Sequence, residues 1–166
     1  MSFKDDFTEE QWIQVIAAPL VAGLAVTAAD PSGLVGAVQE SAALAGSLKS
    51  AGEGASAGSL VAEVIEAYTT GDGRKSARDD TMALIKGRKP AEACEAAVAR
   101  LGETAALVAA TAPGEADDFR RFIRETAQRV AEAGTEGGFL GFGGEKVSDA
   151  ERKTLADIDA ALGGMS

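Results

Sequence analysis

Cys94 is the one thiol of this chain, and no histidine stands anywhere in the sequence to activate it. Without an imidazole the usual neutral-pH base and the commonest transition-metal ligand are both missing. That composition excludes a structural zinc site, which needs four Cys or His ligands, and a di-iron bundle built on Glu-x-x-His. Cys94 also falls in a series with Val98, Leu101, Ala105 and Val108, at alternating steps of four and three. The spacing puts it on the buried seam of a long helix, where a free cysteine acts as a small hydrophobe. No catalytic constellation is expected, and neither is a cofactor.

The carboxylates offer another route to chemistry. Asp5 with Asp6, Asp79 with Asp80, and Asp117 with Asp118 are paired in sequence. Adjacent side chains diverge on a helix, and Asp79, Asp117 and Asp118 sit where first-turn acids favour the helix dipole. The stretch "GDGRKS", residues 71–76, has a likeness to the end of a phosphate-binding loop. Arg74 intrudes between glycine and lysine and a helix precedes it, so a solvated turn is the expectation.

Two segments remain as binding candidates. "GGFLGFGG", residues 137–144, follows a helix rather than a strand and lacks alternating Asp or Asn, which excludes a dinucleotide loop and an EF-hand. Its glycines allow sharp turns that bring Phe139, Leu140 and Phe142 to one side. Those three either dock into the chain's own core, the preferred expectation, or form a patch for a partner. From Arg74 to Arg100 there are seven basic residues against four acidic ones, a local charge of +3 within a chain of net charge −10. Arg74, Lys75, Lys86, Arg88 and Lys89 are the candidates for contact with a partner there.

The overall acidity, 26 Asp and Glu against 16 Lys and Arg, repels nucleic acid and anionic membrane surfaces. An apolar run begins at Ile13, but the preceding "MSFKDDFTEEQ" is acidic where a signal peptide needs a basic region. Pro19 and Gly23 interrupt the run, which is shorter than a bilayer span. A buried central helix in a cytoplasmic protein is the expectation, and a lone cysteine suits a reducing compartment.

Positioning these residues falls to helices. Ala dominates the apolar set and only 5% of residues are aromatic, so closely approaching helices fit better than a β-sandwich. Thr8 with Gln11 reads as a capping box, and Phe7 with Trp12 as a hydrophobic staple, for a first helix kinked or broken near Pro19. Asp30 and Pro31 open a second helix through Leu34, Val38, Ala42, Ala45 and Leu48, which fades into a flexible Gly/Ser/Ala connection at 50–59. A third starts at Ser59, a short one is capped by Ser76 with Asp79 and ends at Ile85, and a long one opens at Pro90. Phe119, Phe122, Ile123 and Val130 mark the inner face of the next. Ser148 with Glu151 caps a last helix carrying Leu155, Ile158 and Leu162. The chain thus reads as all-α, one helical domain over residues 1–166, a bundle of six or seven helices with the first at the centre.

"GEKVSDAERKTLADIDAAL", residues 144–162, resembles the second-helix entry of the tellurite-resistance protein B-like family of small all-helical bacterial proteins. Val147, Ser148 and Glu151 match that family's turn, while Gly144 and Glu145 stand where it has Asp and Gly. "GLAVTAADPSG", residues 23–33, is similar to the corresponding first turn, with Asp30 in the acidic place. The resemblance implies a small-molecule or metal-cation binding protein linked to stress, with Asp30, Glu145, Asp149 and Glu151 as ligands. From the residues themselves the favoured function is a non-catalytic helical module that binds another protein or itself, as monomer or homodimer.

Overall fold

Glutamine and threonine, rather than any apolar residue, set the first boundary. Gln11 N–H donates to Thr8 Oγ1 at 3.2 Å and the Gln11 side-chain oxygen accepts from Thr8 N–H at 2.9 Å. Just outside the cap, the Phe7 and Trp12 rings pack at a centroid distance of 6.2 Å and are both buried. The box and the staple stand as expected and start helix α1, Glu9–Ala29. The computed structural model describes residues 2–29, 37–136 and 147–163. Within them the order continues with α2 (Ala37–Gly54), α3 (Leu60–Ala67), α4 (Gly71–Ile85), α5 (Pro90–Thr111), α6 (Ala116–Glu136) and α7 (Asp149–Ala161). Among the described residues there is no strand, and the molecule is an all-α bundle.

α1 is in contact with each of the other helices. Val15, Ile16, Ala17, Ala18, Val21, Ala22, Ala25 and Val26 are all buried, and consecutive burial of this kind means neighbours on every side. Removing each large aliphatic from water stabilises by about 1.5–3 kcal/mol, and the alanines let the flanking backbones come close. Where a break near Pro19 is one of the two sequence expectations, the helix runs unbroken through it. Pro19 has no N–H for the Val15 carbonyl. One residue along, the Tyr68 hydroxyl donates to the Ile16 carbonyl at 2.5 Å, supplying a donor to the disturbed turn from outside. At 21 residues the helix is long and apolar enough to cross a bilayer, contrary to the sequence estimate of its length. Its apolar surface is largely covered by α4, α5 and α6.

Other boundaries move. α2 extends to Gly54, so the connection expected over 50–59 is helical in its first half. Its alanines favour helix, and packing on α6 holds it: Ser47 and Thr126 share a buried hydroxyl hydrogen bond of 3.0 Å, and Arg129 donates to Ser50 at 3.0 Å. Ser59 then caps α3 by accepting from Ala62 N–H, as expected. α4 starts at Gly71, cap Thr70, instead of at Ser76, and "GDGRKS" is its first turns rather than a solvated loop. Thr70 Oγ1 accepts from Gly73 N–H at 3.0 Å, and Asp72 supplies first-turn charge. The chain doubles back so tightly here that a Cβ on residue 73 would lie 2.1 Å from the Ala67 carbonyl oxygen, and only glycine fits.

α5 opens at Pro90, with Glu92 accepting from Lys89 N–H at 3.1 Å. Its buried seam runs through Ala93, Ala97, Leu101, Thr104, Ala105 and Val108, one residue off the expected register at its N-terminal end. Cys94 and Val98 are consequently half-buried instead of fully inside. On α6 the inner face is as expected, with Phe119, Phe122, Ile123 and Val130 buried. At α7 the Ser148–Glu151 capping box forms in both directions. Ile158 and Leu162 are buried, Leu155 half-buried, and Asp159 pairs with Arg124 of α6.

Candidate functional site

The polar segment from 71 to 89 becomes one side of the bundle. α4 touches α1 and α5 and buries only Ala77 and Thr81, so most of its circumference faces solvent. Of the expected partner-binding residues, Arg74 and Lys75 lie near the start of α4, while Lys86, Arg88 and Lys89 occupy the turn into α5; all five are exposed. Arg74 Nη1 donates to the Tyr68 carbonyl at 2.9 Å, and Arg88 Nε to the Leu84 carbonyl at 2.9 Å. Lys75 bonds Asp79 at 2.6 Å, and that hydrogen bond holds the Asp79 carboxyl below its ordinary range. Arg100, which closes the basic run in sequence, turns inward to Asp80 at 3.1 Å and takes no part in the face.

Two members of this face are not among the expected residues. Arg78 is exposed, and Met82 is 57% exposed, the one large hydrophobic in the open among the described residues. Arg74, Arg78 and Met82 follow one another at steps of four, which on a helix forms a slowly winding stripe, and Lys86 keeps the same spacing at the C-cap just beyond it. That spacing was available in the sequence, but it points to a stripe only once α4 is known to start at Gly71.

Phe139, Leu140 and Phe142 lie outside the described residues, as do Asp30 and Glu145. Asp149 faces Arg152 at 3.5 Å. Glu151 is buried and its carboxylate accepts from Ser148 N–H at 2.9 Å, so its first duty is to the helix start. Among the described residues no group of three or more Asp, Glu or Cys side chains is placed to hold a metal ion. The Cys94 thiol stands 3.6 Å from the Thr154 hydroxyl, between α5 and α7.

A second feature arises between elements distant in sequence. The 3-10 turn Phe3–Asp6 (Ser2 at its N-cap), the first half of α1, the end of α3 and the start of α4 enclose a cleft of about 680 Å³. Trp12, Ile13 and Ile16 line its apolar part, and Glu9, Glu63, Glu66 and Asp72 line its polar part. Glu63 is spoken for, accepting from the Ser2 hydroxyl at 2.8 Å, Phe3 N–H at 3.0 Å and Lys4 N–H at 3.1 Å. The other three carboxylates have no cationic or hydrogen-bonding side-chain partner among the described residues.

No family model matches this chain, and neither a curated protein nor a solved structure matches it.

Proposed function

We propose that this chain is a non-catalytic helical binding module that presents the outer face of α4 to an acidic protein surface. The reading is carried by one observation: the only exposed large hydrophobic of the described residues, Met82, sits in a stripe with Arg74, Arg78 and Lys86. An adaptable thioether flanked by cations is suited to an interface that combines an apolar centre with a charged rim. The chain's net charge of −10 opposes an acidic partner at long range. Screening reduces that repulsion beyond about 8 Å at physiological ionic strength, so the local cations govern the docked state.

A photo-crosslinking residue at position 82 tests it. Adducts with acidic proteins, weakened by salt and absent from an Arg74→Glu/Arg78→Glu/Lys86→Glu variant of unchanged circular dichroism, support the reading. No adduct, or the same adducts from the charge-reversed variant, overturns it.

A further inference from the structure

The cations of the α4 stripe are left without counter-charge by their own chain. Arg78 and Lys86 have no carboxylate partner among the described residues, and Arg74 gives its bond to the neutral Tyr68 carbonyl. Uncompensated positive charge therefore flanks the exposed Met82.

The opposite arrangement stands where α1 begins. Asp5, Asp6, Glu9 and Glu10 are exposed, with Lys4 as the one cation among them, and none of the four is in an ion pair among the described residues. Ile13, half-buried, lies one turn along α1 from Glu9 and Glu10 and supplies an apolar edge beside them. An apolar centre with an acidic rim thus faces outward here, the complement of Met82 with its cations. The acidic shoulder is also held in place. Glu63 of α3 accepts from the Ser2 hydroxyl, Phe3 N–H and Lys4 N–H, and the Phe7–Trp12 staple joins the turn to α1. A surface already fixed in one geometry loses little freedom when it binds.

The start of α1 adjoins the start of α4, since Glu9, Asp72 and Ser76 line a common cleft. With complementary surfaces side by side on one chain, a two-fold axis can set each stripe on the other copy's shoulder, and such a contact closes at two copies. The net charge of −10 on each copy opposes their encounter. Beyond about 8 Å that repulsion is screened at physiological ionic strength, so the charges in contact decide the docked state.

We propose that the partner of the α4 stripe is a second copy of this chain, whose Asp5, Asp6, Glu9 and Glu10 meet Arg74, Arg78 and Lys86 while Met82 lies against Ile13. The inference rests on the reading of α4 as an interface and names its partner.

Sedimentation equilibrium of the intact chain at physiological ionic strength is expected to show a dimer at about 100 µM. Arg74→Glu/Arg78→Glu/Lys86→Glu and Asp5→Lys/Asp6→Lys/Glu10→Lys should each weaken it at least about tenfold with the helical spectrum unchanged. An equimolar mixture of the two variants should restore it, because reversed stripe meets reversed shoulder in one contact and native meets native in the other. Lys49→Glu/Arg121→Glu/Lys153→Glu, an equal change of net charge on α2, α6 and α7, should leave the dimer intact. A photo-crosslinker at position 82 should join two copies near Ile13. The inference is overturned by a parent that stays monomeric at about 1 mM. Folded variants that remain monomeric when mixed, an equal loss in the α2, α6 and α7 control, or a dimer crosslinked away from the start of α1 also overturn it. A monomeric parent that still gives position-82 adducts with other acidic proteins overturns this inference alone, whereas the absence of both dimer and adducts overturns the α4 reading with it.

Discussion

α1 and α4 lie against each other and are helices for opposite reasons. α1 is apolar nearly all round and is held by what surrounds it, with Val15, Ala17, Ala22 and Ala25 completely closed off from solvent. α4 buries two small side chains, Ala77 and Thr81, and owes its helicity chiefly to the Thr70 cap and the Gly73 turn, with a small addition from the exposed Lys75–Asp79 pair. Tertiary burial makes the first helix part of the cooperative core, whereas the second rests on local interactions worth tenths of a kcal/mol to about 1 kcal/mol each. Sites that exchange partners are drawn from such lightly anchored elements.

The largest effect that sharpens this contrast is expected in α1. Ile16→Ala, at a 2% exposed position, should cost about 3 kcal/mol through lost burial and the cavity left behind. A urea midpoint shifted by less than a third of that would show that α1 is not the cooperative centre. Next comes Gly73→Ala, expected to cost about 2 kcal/mol because the new methyl meets the Ala67 carbonyl. If the variant is as stable as the parent, the tight reversal between α3 and α4 is not essential, and α4 is even less anchored than described.

Tyr68→Phe should cost about 1 kcal/mol, the usual worth of a hydroxyl hydrogen bond, here the one to the Ile16 carbonyl. Burial also pushes the Tyr68 phenol above its ordinary value of 10.0, so the folded state favours the neutral form. Its contribution is therefore complete below that ordinary value and is lost as the pH rises past it. Since Tyr68 is the only tyrosine, phenolate absorbance should appear together with the loss of helical circular dichroism. Ionisation of the phenol while the helices persist would disprove the docking of its hydroxyl on the Ile16 carbonyl.

The smallest effect is expected from Lys75→Ala, in the open pair on α4, where solvent screening leaves little to lose. The depressed Asp79 carboxyl works in the other direction of pH: its contribution is present above the ordinary aspartate range and fades as acid brings the folded group to its midpoint. A clear drop in the denaturation midpoint for Lys75→Ala at neutral pH and moderate salt would mean that surface charge, not packing and capping, maintains α4.

Legibility in the sequence follows the range of the interactions. The Thr8–Gln11 and Ser148–Glu151 boxes, the Phe7–Trp12 staple, Pro90 at the start of α5 and the inner face of α6 are read from residues within a turn or two of one another. Errors arise where distant residues decide. The Ser76–Asp79 pair looks like a cap until the Thr70 turn, fitted against α3, starts the helix six residues earlier. "SAGEGASAGS" reads as a linker because its own side chains bury little, yet α6 holds its first half helical through Ser50. The seam of α5 is ambiguous from spacing, since Cys94 and Ala93 both suit an apolar stripe and only the positions of α1 and α7 choose between them.

The sequence by itself determined the class of fold and much of what the protein lacks. Alanine-rich steps of three and four make helices, and a chain without histidine has no imidazole chemistry. The basic residues at steps of four from Arg74 were written there too, but only the start of α4 at Gly71 puts them on one helix. The cleft was not. Glu9, Trp12, Glu66 and Asp72 come from three helices and have no shared pattern in sequence, because carboxylates at such separations meet only after α3 and α4 fold back across the start of α1. Local interactions act over a turn of helix and can be read in one dimension, whereas a concave site is a property of how those helices are packed.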